Sequence, residues 1–452
     1  MCRRAEEPWR HGGPDAFPRL TPRGRHRSRH RRRDAHPMGG RDRFAGFRPR
    51  SGAAAMMAGP FTSSEIAELR AQTPATGHRI HLNHASTSLM PRAVTGVMTD
   101  FIALEQAVGT HAAMEAHARD IEGVRHAVAA LLNCPPRNIA FVETASRGWA
   151  LALGACVSSG LRRIALARSD WGANILNASA MATGTALEVS LVPIGPLGQS
   201  SPAALVQAGA GGAVAFSLVP TSSGVAADVE TIAEEARRRE ALVMIDAAQA
   251  VGQIPVDVSA LGADVLVFPA RKWLRGPKGA AVLFVSDRIL AQAGPPLRDL
   301  GGGTWSGADD FLWRDDARRF ESFEFNPAVR LGLGAAARLA REVGPGRIAA
   351  RIRALVDLAC TRLAALGAPL PMEAGDPAAT GIMTWADRRR DVGALVEALR
   401  QRGIFAAGIG ESQARLALEA RGGPIIRASV HYFNTEDEIE AFATGFAALW
   451  HI

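Results

Sequence analysis

The chain has 452 residues, of which 47% are hydrophobic and 21% are charged, a composition typical of a globular protein with one or two domains. Its formal net charge is +8, and the positive excess is concentrated at one end. Residues 1–50 hold fifteen Arg and five acidic residues, a net charge of +10, which leaves a net charge of −2 for residues 51–452. A near-neutral body argues against a nucleic-acid-binding face on the fold itself, and its apolar stretches contain too many Pro and Gly residues for a membrane span.

Residues 1–58 form a basic tail centred on RGRHRSRHRRRDAH, which is too polar to build a core, so we predict disorder. We favour an over-extended N-terminus with the native start near Met56 or Met57. A transit peptide and a nucleic-acid-binding arm are the alternatives. The four Cys residues form no CxxC motif and no Cys/His cluster, so we expect neither a metal site nor disulfides, and a cytoplasmic location.

From about residue 60, helical and strand patterns alternate. SSEIAELRAQ predicts a helix that begins at a Ser cap, and residues 99–133 predict one or two amphipathic helices. Seven short apolar runs follow: IAFV (139–142), RIALA (163–167), LEVSLVPI (187–194), AVAFSLVP (213–220), LVMID (242–246), DVLVF (264–268) and AAVLFVS (280–286). Runs of this kind are buried on both faces, which predicts an α/β fold with a mostly parallel seven-stranded sheet flanked by helices.

The pattern changes after about residue 325. The long helical segments LGLGAAARLAREV and RIAARIRALVDLACTRLAAL are followed by weaker strands and a closing helix. We therefore predict a large domain over residues 59–325, which includes an N-terminal segment, and a smaller α+β domain over residues 326–452. Because open α/β sheets bind ligands beyond the carboxyl ends of their strands, the polar segments ETASRGW, RSDWGAN, PTSSG, DAAQ and PARK are the candidates for chemistry.

Asp246 and Lys272 each follow an apolar run, twenty-six residues apart. A buried carboxylate needs a cationic partner, and a protonated pyridine nitrogen is one that also turns the ring into an electron sink. A lysine that is desolvated beside Arg271 would have a lowered pKa and a nucleophilic amine. Taken alone, Asp246 also fits a helix N-cap and Lys272 a surface turn. The pair together favours a phosphorylated nitrogen heterocycle as cofactor.

Three further features fit the same ligand. TASRG offers small residues and backbone N–H groups at a helix start, which suit a phosphate, although it is also an ordinary capping sequence. Trp171 suits stacking on a ring or packing in the core. Arg427 suits a substrate carboxylate, with a structural salt bridge to the acidic segment EDEIE as the alternative.

Together, DAAQ, ARKWLRGPKG and RASVHYFNTEDE resemble the class V aminotransferase family of fold-type I pyridoxal 5′-phosphate (PLP) enzymes. The branch contains cysteine desulfurases, isopenicillin N epimerase and ergothioneine-pathway C–S lyases. The resemblance runs from HLNHASTSLMPRAV (81–94) to IIRASVHYFNTEDEIEAF (425–442). It implies PLP as cofactor, an L-amino acid substrate that loses its Cα proton, and a homodimer with active sites at the interface.

The resemblance also implies a role for each site residue. Lys272 forms the Schiff base, Asp246 pairs with the pyridinium nitrogen and Gln249 hydrogen-bonds the ring hydroxyl. The other implied roles are phosphate binding by Ala145, Ser146 and Arg271, ring stacking by Trp171, contact with the hydroxyl side of the ring by Thr221, contact with the neighbouring subunit's phosphate by Thr304, and substrate carboxylate binding by Arg427.

Two positions depart from the family pattern. Pro269 stands where many relatives place a Ser or Thr on the phosphate, so that contact is weaker or is supplied elsewhere. Ser412 lies near the position of the mobile cysteine of desulfurases, and its loop contains no Cys, which argues against persulfide chemistry. We therefore predict β-elimination of the C–S lyase type, with a transaminase or an epimerase on the same scaffold as alternatives.

Overall fold

The structure is a computed structural model that describes residues 59–307, 310–387 and 389–450. The predicted tail, residues 1–58, lies outside the described residues. The strands are β1 Ile80–His81, β2 Ile139–Val142, β3 Arg163–Ala167, β4 Glu188–Val192, β5 Ala213–Ser217, β6 Leu242–Asp246, β7 Val265–Pro269, β8 Ala281–Val285, β9 Gly303–Trp305, β10 Phe311–Trp313, β11 Ile382–Ala386, β12 Ile404–Phe405, β13 Ala407–Ile409 and β14 Ile425–Ser429.

The helices lie between these strands and at both ends of the described chain. They are α1 Ser63–Ala71, α2 Arg92–Val108, α3 Thr110–Ala116, α4 Ala118–Leu132, α5 Ala145–Ser158, α6 Gly172–Gly184, α7 Pro202–Gly209, α8 Val229–Arg238, α9 Asp287–Gln292, α10 Pro327–Val343, α11 Pro345–Ala365, α12 Val392–Gln401, α13 Glu411–Arg421 and α14 Glu436–Trp450.

The central sheet has seven strands in the order β2-β8-β7-β6-β5-β3-β4, and each overlaps one of the seven apolar runs. All the pairs are parallel except those of β8, which runs antiparallel to both β2 and β7. The predicted mostly parallel seven-stranded sheet is therefore confirmed. Every residue of β5 and of β8 is buried, as expected for strands covered by helices on both faces.

The direction of β8 determines which residues lie at the edge of the sheet where the parallel strands end. In a parallel array, only the carboxyl ends of strands reach that edge. Because β8 runs the other way, its first residue, Ala281, pairs with both Val142 at the end of β2 and Pro269 at the end of β7. The residues just before β8 therefore lie beside the segments that follow β2 and β7.

The C-terminal part of the chain forms its own small sheet, with β14 between β11 and β13. The predicted long helices correspond to α10 and α11, which confirms a C-terminal domain with helices and a few strands. Strand β1 pairs in parallel with β12, with Ile80 opposite Ile404, so the N-terminal segment contacts this part of the chain. The proposed boundary between residues 325 and 326 stays a prediction.

Two local predictions differ from the structure. The N-cap of α1 is Thr62 and not a Ser, and its hydroxyl forms a capping box with Glu65. Residues 99–133 belong to three helices, α2, α3 and α4, where we predicted one or two. Gly109 ends α2 with φ of 83°, a backbone conformation that favours glycine. Among the described residues, no helix combines the length and the apolar character that a bilayer span needs.

Candidate active site

A cavity of about 400 Å³ lies at the edge where β2, β3, β5, β6 and β7 end. Side chains from segments far apart in sequence meet there because parallel strands end at one edge. Eight of the predicted site residues line it: Ala145, Ser146, Trp171, Thr221, Asp246, Gln249, Arg271 and Lys272. Thr304 and Arg427 are not among its lining residues.

Asp246 is the last residue of β6, and its side chain is buried. Its Oδ1 accepts the backbone N–H of Ala248 at 2.9 Å, and its Oδ2 accepts Nδ2 of Asn174 at 3.0 Å. Burial raises the pKa of Asp246 above its ordinary value, and the charge of Lys272 opposes that rise. One carboxylate oxygen thus accepts a hydrogen bond from the turn that follows β6. The carboxylate also lines the cavity, where a bound cation would stabilise its charged form.

Asp170 and Asn174 contact Asp246 or its partners, and neither was among the site residues predicted from the sequence. Asp170 follows β3 and is buried, and its Oδ1 accepts the hydroxyl of Ser217 at 2.7 Å and the N–H of Trp171 at 2.7 Å. Asn174, in the first turn of α6, donates to both carboxylates. The segment RSDWGAN marked the location, but the contact across β3, β5 and β6 requires the sheet.

Lys272 lies just beyond β7 and is 8% exposed. Burial lowers the pKa of its amine to about 7, with Asp246 opposing the shift and Arg271 and Arg427 adding to it. Its Nζ lies 5.7 Å from the centre of the Trp171 ring, so both residues face the same space. At neutral pH a large fraction of this amine is therefore unprotonated, which is the form that acts as nucleophile or base.

The start of α5 lines the cavity together with the segments that follow β5 and β6. The hydroxyl of Thr144 caps the helix by accepting the N–H of Arg147 at 3.1 Å. The N–H groups of Ala145 and Ser146, in the first turn, have no acceptor within the helix. Helix starts attract anions through such groups and through the helix dipole. This end of the cavity is therefore suited to a phosphate.

Thr221 connects two predicted site residues. Its hydroxyl oxygen accepts a hydrogen bond from Nε2 of Gln249 at 3.1 Å and a second one from Nη1 of Arg427. Because the oxygen accepts both bonds, the hydroxyl hydrogen remains to be donated into the cavity. Trp273 fixes the orientation of Gln249 by donating from its indole nitrogen to Oε1 at 2.8 Å. Trp273 has no role in the sequence analysis, although it directly follows Lys272.

Arg427 lies on β14 and is 2% exposed. It donates to neutral oxygens only, among them the hydroxyl of Ser86 at 2.6 Å and Oδ1 of Asn83 at 3.4 Å. Its Nε has no partner in the described part of the chain, and burial lowers the pKa of the guanidinium to about 9. A buried cation without an acidic partner is costly, and a bound carboxylate would remove that cost.

The alternative for Arg427, a salt bridge to the EDEIE segment, is not what the structure contains. The three glutamates of that segment pair with other arginines. The pairs are Glu436 with Arg351, Glu438 with Arg70, and Glu440 with Arg362.

Two predicted phosphate ligands, Arg271 and Thr304, make other contacts within the chain. Arg271 lines the cavity, but its Nη1 donates to the carbonyl of Ser86 and to the hydroxyl of Thr87 at 3.4 Å. It therefore supports the loop that holds Arg427. Thr304 lies on the exposed hairpin β9–β10, where it pairs with Leu312. Within one chain it is separate from the cavity, so its predicted contact with a phosphate needs a second subunit.

None of the described cysteines lines the cavity. Burial raises the pKa of Cys134 and of Cys156 to about 12 and raises the pKa of Cys360 as well. These thiols are protonated at neutral pH and are poor nucleophiles.

The residues present fit PLP. The cavity combines a carboxylate buried at the end of β6, an amine of lowered pKa, an aromatic ring beside that amine, and free N–H groups at a helix start. These are the groups that a protonated pyridine, an aldehyde carbon, a flat ring and a phosphate require. A neutral ligand would add no positive charge beside this carboxylate, whose pKa is raised by burial.

Comparison with known proteins agrees with this chemistry. The family model "Aminotransferase class-V" matches residues 80–442. A probable hercynylcysteine sulfoxide lyase of Mycobacterium tuberculosis is 28% identical over 84% of this chain and 91% of its own. The apo structure of a cysteine desulfurase from Thermococcus onnurineus superposes with a TM-score of 0.79 at 24% identity, covering 85% of this chain and 98% of that one.

A structure of the cystine C–S lyase C-DES, in complex with its product cysteine persulfide, superposes with a TM-score of 0.74 at 21% identity, over 83% of this chain and 99% of that one. At these identities the two solved structures establish the fold. The family model covers most of the chain, from before β2 to within α14. The chain therefore belongs to the class V aminotransferase family, and it is a PLP-dependent enzyme.

Proposed function

We propose that this enzyme catalyses β-elimination from an L-amino acid that carries a sulfur substituent on Cβ. The observation that carries the proposal is a cavity that holds a nucleophilic amine, a carboxylate and an anion site but, among the described residues, no thiol. A desulfurase needs a cysteine to accept sulfur as a persulfide. The likeness to a probable hercynylcysteine sulfoxide lyase supports the same reaction class.

The contacts support the following roles. Asp246 pairs with the pyridine nitrogen, and Trp171 covers the ring. Ala145 and Ser146 offer their N–H groups to the phosphate, while Thr221 and Gln249 reach the ring hydroxyl. Bound in this way, PLP supplies an electron sink that makes the Cα proton of the substrate acidic.

The chain's own residues then perform binding and proton transfer. Arg427 binds the substrate carboxylate with two parallel N–H groups, which fixes the amino acid relative to Lys272. The amine of Lys272, with its pKa near 7, accepts the Cα proton. The electron pair of the Cα–H bond forms the Cα–Cβ double bond as the Cβ–S bond breaks, and sulfur leaves as a thiolate or sulfenate. Water then converts the released enamine to a 2-keto acid and ammonia.

We further propose that the active enzyme is a homodimer, formed through the hairpin β9–β10 and its neighbours. Five large apolar side chains in this region are more than 60% exposed: Leu297, Leu300, Trp305, Leu312 and Phe323. Exposed apolar side chains gathered in one region are typical of a protein interface. Thr304 lies between them, so the partner's hairpin would bring a hydroxyl to the phosphate end of the cavity.

A cysteine-free variant tests the proposed reaction class. We replace Cys2, Cys134, Cys156 and Cys360 with Ser and measure sulfur release from an S-substituted cysteine. β-Elimination by Lys272 predicts activity within about threefold of the wild type, since no step needs an enzyme thiol. Loss of sulfur release, in a variant that still binds PLP, would indicate a persulfide step and would contradict the proposal.

A further inference from the structure

The sequence contains only two lysines, Lys272 and Lys278, against fifty arginines. Both line the same cavity. Neither lysine takes part in a salt bridge within the described part of the chain, where arginines form most of these pairs. Lys272 is accounted for by the reaction. The second lysine, Lys278, has no part in that reaction.

The antiparallel strand β8 places Lys278 at the phosphate end. Ala281 begins β8 and pairs with Val142 and Pro269, so the segment before it lies between the ends of β2 and β7. The end of β2 leads directly to Thr144 and the start of α5. Lys278, Gly279 and Ala280 therefore line the cavity together with Ala145 and Ser146.

At this end of the cavity, the arginines Arg147 and Arg271 both have acceptors within the chain. The carboxylate of Glu143, which also lines the cavity, is paired with Arg147 at 3.0 Å, and in the described part of the chain Lys278 has no salt bridge. Arg271 donates to the Ser86–Thr87 loop. Pro269 offers neither a hydroxyl nor an N–H group. The free N–H groups of α5 are neutral, while a phosphate carries up to two negative charges.

We propose that Lys278 binds the phosphate group of the cofactor and replaces the hydroxyl contact that Pro269 cannot make. A flexible ammonium group can act as a point charge on a phosphate from the rim of a site, and it needs no fixed planar geometry. The position that a Cβ would occupy on Gly279, the next residue, is open space. This inference rests on the proposed placement of PLP in the cavity.

Comparison of PLP with pyridoxal, which lacks the phosphate, tests the inference without measuring activity. The dissociation constants of both compounds are measured on the full chain by tryptophan fluorescence, for the wild type, Lys278→Met and Lys278→Arg. We expect Lys278→Met to weaken PLP binding by roughly tenfold or more, because it removes a charge-assisted contact. Pyridoxal binding should change by less than about twofold. Lys278→Arg keeps the charge and should retain PLP affinity within about threefold.

Two results would overturn the inference: an unchanged ratio of the two dissociation constants in Lys278→Met, or equal losses of PLP affinity in Lys278→Met and Lys278→Arg. The last would mean that charge is not the cause. A wild type that binds neither compound would instead contradict the placement of PLP in the cavity. The failure of the inference and the failure of the proposed function are therefore distinguishable.

Discussion

Asp170 and Asp246 share one amide group, because Nδ2 of Asn174 donates to Oδ1 of Asp170 at 3.2 Å and to Oδ2 of Asp246 at 3.0 Å. Two neighbouring buried carboxylates do not both ionise readily. Burial, and then the charge of Asp246, raise the pKa of Asp170 to about 7. No described residue donates to Oδ2 of Asp170. We infer that below about pH 7 Asp170 holds a proton on this oxygen and leaves the negative charge on Asp246.

This arrangement predicts different effects for two similar substitutions. Asp170→Asn mimics a neutral acid, so PLP affinity should stay within about threefold of the wild type. Asp246→Asn removes the charge that pairs with the pyridine nitrogen, and PLP affinity should fall by roughly tenfold or more. Titration with PLP, followed by visible absorption, measures both. Equal losses in the two variants would show that Asp170 is not a neutral neighbour.

The proton on Asp170 also affects the free energy of unfolding. Asp170 has a raised pKa of about 7 when folded and an ordinary value of 3.8 when exposed, so the folded protein binds more protons between these pH values. Its contribution therefore makes the free energy of unfolding fall as pH rises from about 4 to about 7. Urea unfolding of the apoprotein across this range should show a smaller fall in Asp170→Asn than in the wild type. Identical pH dependence would contradict the prediction.

The lowered pKa of Lys272 predicts a distinctive chemical reactivity. In the apoprotein, acylation of Lys272 should reach half its maximal rate near pH 7, whereas an ordinary lysine continues to gain reactivity up to about pH 10. Because Lys278 is the only other lysine, mass spectrometry of two peptides measures both sites. Borohydride treatment with PLP should label the Lys272 peptide. A label on Lys278 alone would contradict the assignment.

Arg427 and Arg421 are both buried, and we predict opposite effects of their substitution on stability and on activity. Arg421 pairs with the buried Glu373 at 3.2 Å, so Arg421→Met leaves a buried acid behind and should lower the free energy of unfolding by roughly 2 kcal/mol or more. Arg427→Met leaves no acid behind. It should unfold at nearly the same urea concentration as the wild type and should lower kcat/KM at least about a hundredfold. A large loss of stability in Arg427→Met, with kcat/KM retained, would assign it a structural role.

The proposed dimer predicts that one apolar position controls both assembly and cofactor retention. Leu312→Glu places a charge in the exposed apolar region and should yield a monomer by sedimentation equilibrium. The monomer should lose PLP more readily, because Thr304 of the second chain would no longer reach the phosphate. As a control, Thr304→Ala should weaken PLP binding a few-fold while the dimer persists. A wild type that sediments as a monomer at all concentrations would refute the dimer.

The sequence predicted the sheet well because each strand is a continuous apolar run bounded by polar residues. It also predicted the site residues that directly follow strands, such as Asp246 and Lys272, because parallel strands deliver those positions to one edge. An apolar run does not reveal strand direction, however. The antiparallel β8, and with it the location of Lys278, could only be found in the structure.

Contacts between segments that are distant in sequence could not be predicted either. Asn174 bridges carboxylates that are separated by 76 positions in sequence, and no periodicity in RSDWGAN indicates that partner. The choice between a salt bridge and a substrate site for Arg427 likewise depended on where Glu436, Glu438 and Glu440 find their partners. The sequence shows the acidic residues near Arg427, but only the fold shows that other arginines bind them.

The central claim is tested most directly by the products formed from an S-substituted L-cysteine. The purified wild type and Lys272→Ala are each incubated with the substrate and PLP, with and without an added keto acid, and 2-keto acid, ammonia and released sulfur compound are quantified. We predict equal amounts of all three from the wild type without any keto acid, and none above background from Lys272→Ala. Product formation that requires the added keto acid, or that persists in Lys272→Ala, would contradict β-elimination by Lys272.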